Sequence, residues 1–219
     1  MTARTVIVLA GGNGLTAELP GPVPTDATVI AADAGVDRAL ALGLHIDRAI
    51  GDFDSVSRAG LVAAEAAGAV IERHPAAKDA TDLELALDAA IALEPERILV
   101  VGSAGGRLDH LLGSILLLAD DRYLAATVDA YLDGNRLAVI RALRTLTGTP
   151  GDLVTLLPVH GPAAGVSTSG LEYPLHDETL RPGTTRGVSN VFATAEAEIT
   201  VVEGCVVAVQ PGPEREESL

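Results

Sequence analysis

The sequence predicts an α/β N-terminal domain built on a mostly parallel sheet, followed by an all-β sandwich domain. Three observations predict it. Short apolar runs without polar alternation, such as Val6-Ile7-Val8-Leu9-Ala10 and Ile98-Leu99-Val100-Val101, suit strands buried on both faces of a parallel sheet. Helical segments stopped by Gly43, Gly68 and Pro95 separate those runs. From about Thr127 the helical segments cease, and Gly and Pro punctuate short strands. The expected division is residues 1–122 and 123–219.

In chain order, Thr5 to Ala10 is a strand ending in Gly11-Gly12, and Val29 to Ala32 a second one ending at Asp33-Ala34-Gly35. A helix from about Val36 to Leu42 follows, then Ala49-Ile50 running into Gly51-Asp52-Phe53-Asp54-Ser55, and a helix from about Arg58 to Ala67. Ala69 to Glu72 is a short strand. Lys78 to Glu84 opens the most strongly patterned helix, with Leu83, Leu87, Ala90 and Ile91 as its apolar stripe and Thr81 with Glu84 as a capping box. Ile98 to Val101 leads through Gly102 to His110 into an apolar helix reaching about Ala119. Strands alternating with helices imply right-handed crossovers and a Rossmann-like sheet. In the second half, Val128 to Ile140 reads as a hairpin through Asp133-Gly134-Asn135. Asp152 to Pro158 reads as a strand, Ala197 to Val209 as a hairpin through Glu203-Gly204, and the acidic tail from Pro211 to Leu219 as frayed.

Composition narrows the function classes. A formal net charge of −15 argues against general nucleic-acid binding and against an anionic membrane surface. An anionic substrate must then be met by a metal and a few local cations. Cys205 is the only cysteine, so an internal disulfide and a thiolate metal site are excluded, and its apolar run suggests a buried thiol. Neither a secretory leader nor a membrane-spanning run is legible, which points to the cytoplasm.

The polar clusters carry the chemistry. In open α/β sheets ligands sit beyond the carboxyl ends of the strands, and Asp33, Asp52 and Asp54, Lys78 to Asp82, and Arg107 to His110 all follow a strand. Two carboxylates spaced like Asp52 and Asp54 suit a hard cation such as Mg²⁺, whose octahedron waters and phosphates complete. Capping of the helix near Ser57 is the bland alternative for that loop. Asp79 and Asp82 at a helix start are explained equally by capping or by Asp82 joining a metal site beside Lys78. Arg107 after two glycines resembles an anion site, or else a salt bridge to a nearby Asp. Singly, each bland reading suffices. Jointly they leave the gathering of metal-type carboxylates, a Lys and a Gly-Gly-Arg turn at one edge unexplained.

Ala32-Asp33-Ala34-Gly35, Gly51 to Ser55, Lys78 to Asp82, and Gly105 to His110 resemble the successive motifs of the thiamine pyrophosphokinase family. Ser167 to Leu175 and Thr185 to Asn190 resemble its thiamine-binding β-domain, so the likeness spans nearly the whole chain in order. The resemblance implies transfer of an intact diphosphate from ATP to the hydroxyethyl oxygen of thiamine, with Mg²⁺, in a homodimer holding thiamine at the subunit interface. It implies Asp52, Asp54 and Asp82 as metal ligands, and Asp33, Lys78, Asp79, Thr81 and Arg107 around the nucleotide and phosphates. It also implies Asp109, Tyr173, Ser189 and Asn190 near thiamine. Ala34 replaces a common family Gly, and Tyr173 replaces the Trp of some relatives, while keeping a ring that stacks on a cationic heterocycle. Two alternatives remain: a diphosphokinase for another hydroxymethyl heterocycle such as a pterin, and a non-catalytic thiamine- or nucleotide-sensing module.

Overall fold

A computed structural model describes residues 4–12, 19–103 and 106–212. Ala104, the first glycine of the Gly-Gly-Arg motif at Gly105, and the tail from residue 213 onward lie outside the described residues. The chain divides into two compact units, residues 1–117 with 121–133 and residues 118–120 with 134–219.

In the first unit the strands are β1 (Thr5–Leu9), β2 (Thr28–Ala32), β3 (Arg48–Gly51), β4 (Val70–Arg73), β5 (Arg97–Gly102) and β6 (Thr127–Leu132). They pair in the order β6-β5-β1-β2-β3-β4, every pair parallel. The helices are α1 (Gly35–Ala41), α2 (Arg58–Ala66), α3 (Asp82–Ile91) and α4 (Leu108–Leu118, whose last residue lies in the second unit). β1 and the residues of β5 after Arg97 are buried along their length, as the unalternating apolar runs require. The sheet reverses direction of growth between β1 and β5, the point where such folds open a ligand crevice. Loops after those two strands approach closely there, since a Cβ on Gly12 (φ +118°) would stand 2.8 Å from Ser103 Cβ.

Helix α1 starts against the backbone of β1. A Cβ on Gly35 would come within 2.0 Å of the Leu9 carbonyl oxygen, so only glycine permits this approach. Ala34 costs the turn nothing, because it is right-handed (φ −58°) and Asp33 carries the left-handed bend (φ 44°). Ser57 caps α2 by accepting from the Gly60 N–H at 2.9 Å. Thr81 caps α3 by accepting from the Glu84 N–H at 3.2 Å, but the expected reciprocal bond is replaced: Glu84 pairs with Arg122 at 2.9 Å. The buried side of α3 is Ala86, Leu87 and Ala90.

The second unit contains β7 (Asn135–Ile140), β8 (Arg144–Thr147), β9 (Leu153–Pro158), β10 (Ala163–Ser169), β11 (Glu178–Leu180), β12 (Asn190–Val191), β13 (Glu196–Thr200) and β14 (Val206–Gln210). They form two antiparallel sheets, β12-β9-β14-β7 and β11-β10-β13-β8. Ile140, Val154, Leu156 and Val206 of the first sheet and Leu146, Val166, Leu180 and Ile199 of the second share one core with Phe192. This is a sandwich. Cys205 is buried, as its apolar run suggested.

Two expectations change. β13 and β14 are not a hairpin: β13 pairs with β8 and β10, and β14 with β7 and β9. The Glu203-Gly204 turn instead carries the chain from one sheet to the other. Residues 123–133, expected with the second domain, group with the first unit, because β6 pairs in parallel with β5 along its whole length. Asp133 (φ 50°) and Gly134 (φ 92°) both adopt the left-handed conformations of a tight turn after β6.

Candidate active site

The site of the first unit is built from the carboxyl ends of β2 and β3 and the amino end of α3. Asp33 follows β2, with its N–H donating to the Ile50 carbonyl at 2.9 Å, so neighbouring strand ends fix its backbone. Asp52 follows β3. Asp82 is the first residue of α3, where the helix's free N–H groups favour a carboxylate. One oxygen from each of Asp33, Asp52 and Asp82 lies within 4.8 Å of the others.

Gly51 makes this convergence possible. At φ +152° a Cβ there would stand 3.2 Å from both Asp33 Cβ and Asp82 Oδ1, so the bare backbone leaves the two carboxylates room to converge. Its carbonyl accepts from the His74 N–H at 2.9 Å, tying the loop to the chain leaving β4. The Asp54 N–H turns back to Asp52 Oδ1 at 3.2 Å, and Ser55 Oγ donates to Asp54 Oδ1 at 2.7 Å. Asp54 is exposed and is not one of the three converging carboxylates.

The electrostatics of the group suit a cation. Burial pushes the Asp33 carboxyl above its ordinary range; a hydrogen bond from Ala34 opposes this, and the charges of Asp82, Asp54 and Asp52 add to it. Asp33 Oδ1 is buried and accepts no hydrogen bond among the described residues. Lys78 Nζ lies 2.9 Å from Asp82 Oδ1 and 3.5 Å from Asp52 Oδ2. Burial works against its charge, but the hydrogen bonds and attraction to Asp82 and Asp52 prevail and hold its pKa above the ordinary lysine value. Three carboxylates, all hard oxygen donors, with one ammonium beside two of them, make a donor set that fits a divalent cation. Asp79 and Thr81 are exposed beside Lys78 and Asp82. Arg107 and Asp109 pair with each other, Nε to Oδ1 at 3.2 Å, and both are exposed. That pairing raises the guanidinium pKa and lowers that of the carboxyl.

The predicted residues of the second unit lie on the loop after β10 and at the start of β12. Tyr173 is 59% exposed, on a loop that leaves β10 through Gly170 (φ 73°), where a Cβ would stand 2.1 Å from the Glu196 carbonyl oxygen. Asn190 is 4% exposed. Its Oδ1 accepts from the Tyr173 N–H at 3.1 Å and the Val191 N–H at 2.9 Å, and its Nδ2 donates to the Tyr173 carbonyl at 2.7 Å. Asn190 therefore holds the backbone that presents the Tyr173 ring. Thr168 secures the same loop from the other side, accepting from the Leu175 N–H at 2.9 Å. Ser189 is exposed and left-handed (φ 57°), with its N–H donating to Thr155 Oγ1 at 3.0 Å. Sequence reading missed Thr168 and the structural role of Gly51, although a glycine directly before an Asp-x-Asp pair was a usable signal for the latter.

Two family profiles match the chain: the thiamin pyrophosphokinase catalytic domain over residues 23–128, and its vitamin B1 binding domain over residues 142–206. The chain belongs to the thiamine pyrophosphokinase family. A thiamine pyrophosphokinase of Bacillus subtilis is 26% identical over 218 residues, covering 94% of this chain and 98% of that one. The fold matches a crystal structure of thiamine pyrophosphokinase from Bacillus subtilis with a TM-score of 0.84, at 24% identity over 96% of this chain and all of that one. It also matches a family protein from Enterococcus faecalis with a TM-score of 0.80, at 24% identity over 97% and 100%. The clusters on the first unit thus fall within the family's catalytic domain, and Tyr173 to Asn190 within its vitamin-binding domain. Among the described residues no helix is long and apolar enough to cross a membrane.

Proposed function

We propose that the chain is a thiamine diphosphokinase, moving the terminal diphosphate of ATP intact to the hydroxyethyl oxygen of thiamine and releasing AMP. The observation that carries this reading is the convergence of Asp33, Asp52 and Asp82 around Lys78 within a catalytic-domain match. Asp52, Asp54 and Asp82 would hold Mg²⁺, with Asp33 converging on Asp52 and Asp82 beside it, and the ion would neutralise phosphate charge and orient the diphosphate. Lys78, which sits against Asp52 and Asp82, meets a phosphate oxygen. Asp33, Asp79 and Thr81 line the nucleotide, and Arg107 moves from Asp109 to a phosphate, where its planar fork is geometrically matched.

On the acceptor side Tyr173 stacks on the cationic vitamin, Asn190 keeps that ring in place, and Ser189 and Asp109 supply polar contacts. The alcohol oxygen bonds to the β-phosphorus as the bond from that phosphorus to the α-bridging oxygen breaks. AMP leaves with the electron pair, and the hydroxyl proton passes to solvent or a neighbouring carboxylate. Positioning and charge neutralisation supply most of the acceleration. The enzyme works in the cytoplasm as a homodimer with thiamine at the subunit interface. Exposed Leu108, Leu112 and Leu116, four residues apart on α4, offer an apolar face to a second copy.

Incubation with Mg²⁺, ATP and thiamine, followed by chromatography, tests the reading. AMP forming in step with thiamine diphosphate is the expected result. ADP with thiamine monophosphate overturns diphosphate transfer, and saturable binding without turnover leaves a sensing module.

A further inference from the structure

Phe53 stands between Asp52 and Asp54 with φ 61°, a conformation that a bulky side chain adopts only when its surroundings enforce it. Phe53 is buried to 9% exposure and belongs to the same hydrophobic core as Ile7, Leu9, Val29, Val36 and Val101. The guanidinium of Arg73, the last residue of β4, lies over the same ring at 5.0 Å from its centroid. The neighbouring His74 N–H holds the Gly51 carbonyl at 2.9 Å, so the end of β4 grips the Asp-x-Asp loop at two points.

We propose that Arg73 is a positioning residue for the cation site, clamping the Phe53 ring so that Asp52 and Asp54 flank a left-handed backbone. The proposal rests on the cation-site reading above and adds a residue outside the carboxylate group. Backbone strain at Phe53 must be offset by what holds its side chain. Apolar packing secures one part of the ring, and the arginine covers an exposed part of its face by cation–π attraction. When the arginine goes, the loop relaxes toward backbone conformations in which Asp52 no longer converges with Asp33 and Asp82.

The sign of the effect separates the clamp from simple electrostatics. Removing a positive charge near a cation site tightens cation binding on Coulombic grounds. Loss of the clamp weakens it. Titration of the full chain with Mn²⁺ alone, followed by electron paramagnetic resonance, reads the difference without turnover. Arg73→Ala is expected to bind Mn²⁺ about two- to fivefold more weakly than wild type, as the strength of one cation–π contact dictates. Arg73→Lys recovers part of the loss. In a Phe53→Leu background the Arg73→Ala change has no further effect, because the coupling runs through the ring. Unchanged or tighter Mn²⁺ binding by Arg73→Ala overturns the clamp alone, as does an undiminished effect in the Phe53→Leu background. Absence of saturable Mn²⁺ binding by wild type overturns the cation-site reading and the clamp with it. Should Phe53→Leu fail to fold, the sign of the Arg73→Ala effect alone still decides the matter.

Discussion

The carboxylate group of the first unit and the tyrosine loop of the second solve opposite problems. Asp33, Asp52 and Asp82 are like charges that repel, and they are held together by strand ends, a helix start and a glycine that leaves them room. Tyr173 is a largely exposed ring, and its backbone is held by hydrogen bonds to one buried amide. The first arrangement stores repulsion that a cation relieves. The second stores nothing and only limits where a ring can go. Damage to the first should therefore appear in metal and nucleotide steps, and damage to the second in the affinity for the vitamin.

The largest expected effect is at the carboxylates. Asp82→Ala or Asp52→Ala should lower kcat by about 10²-fold or more, since changes even behind the ligands of a metal site cost 10- to 100-fold. The folded state should survive, because each removal relieves repulsion. Steady-state kinetics with circular dichroism checks both. Normal turnover by either folded variant breaks the comparison at its root. Next is Gly51→Ala, which forces a methyl group to 3.2 Å from Asp33 Cβ and Asp82 Oδ1 at a φ that favours glycine. It should cost about 1–3 kcal/mol in denaturant unfolding and weaken Mn²⁺ binding as well.

Asn190→Ala leaves the Tyr173 N–H and carbonyl without their partner, at about 1–3 kcal/mol. Its kinetic signature should be a raised KM for thiamine with the KM for ATP unchanged; an equal rise in both would deny the two units separate tasks. The smallest effect is at Asp109. Asp109→Asn removes an exposed pair with Arg107, and such pairs contribute little, so the KM for ATP should move by less than about threefold. A larger rise for thiamine would place Asp109 on the acceptor side.

Much of this was legible in the residues, for a physical reason. A buried parallel strand has no polar alternation, so the apolar runs and the polar residues just after them located both the sheet and its ligand edge. Asp33 and Asp52 follow from that rule, whereas Asp82 opens α3 some way beyond β4 and was legible as a carboxylate at a helix start. The destination of β14 did not follow. Val206 and Ala208 join the sandwich core, but the apolar run Val206 to Val209 does not say so by alternation, a sandwich has two inner faces, and the choice of sheet depends on partners far along the chain. The roles of Asn190 and Arg73 were equally hidden. An amide near a substrate loop suits ligand contact and backbone support alike, and only burial separates them. Nothing in the spacing of Phe53 and Arg73 announces that β3 and β4 lie side by side.

The central claim is that the two halves of the chain hold the two substrates by different means, and calorimetric titration of Tyr173→Ala tests it most directly. The account predicts a roughly tenfold loss of thiamine affinity, the scale of one aromatic stack on a cationic ring. The isotherm for a non-hydrolysable ATP analogue with Mg²⁺ should stay unchanged. An unaltered thiamine isotherm, or equal losses for both ligands, would contradict it.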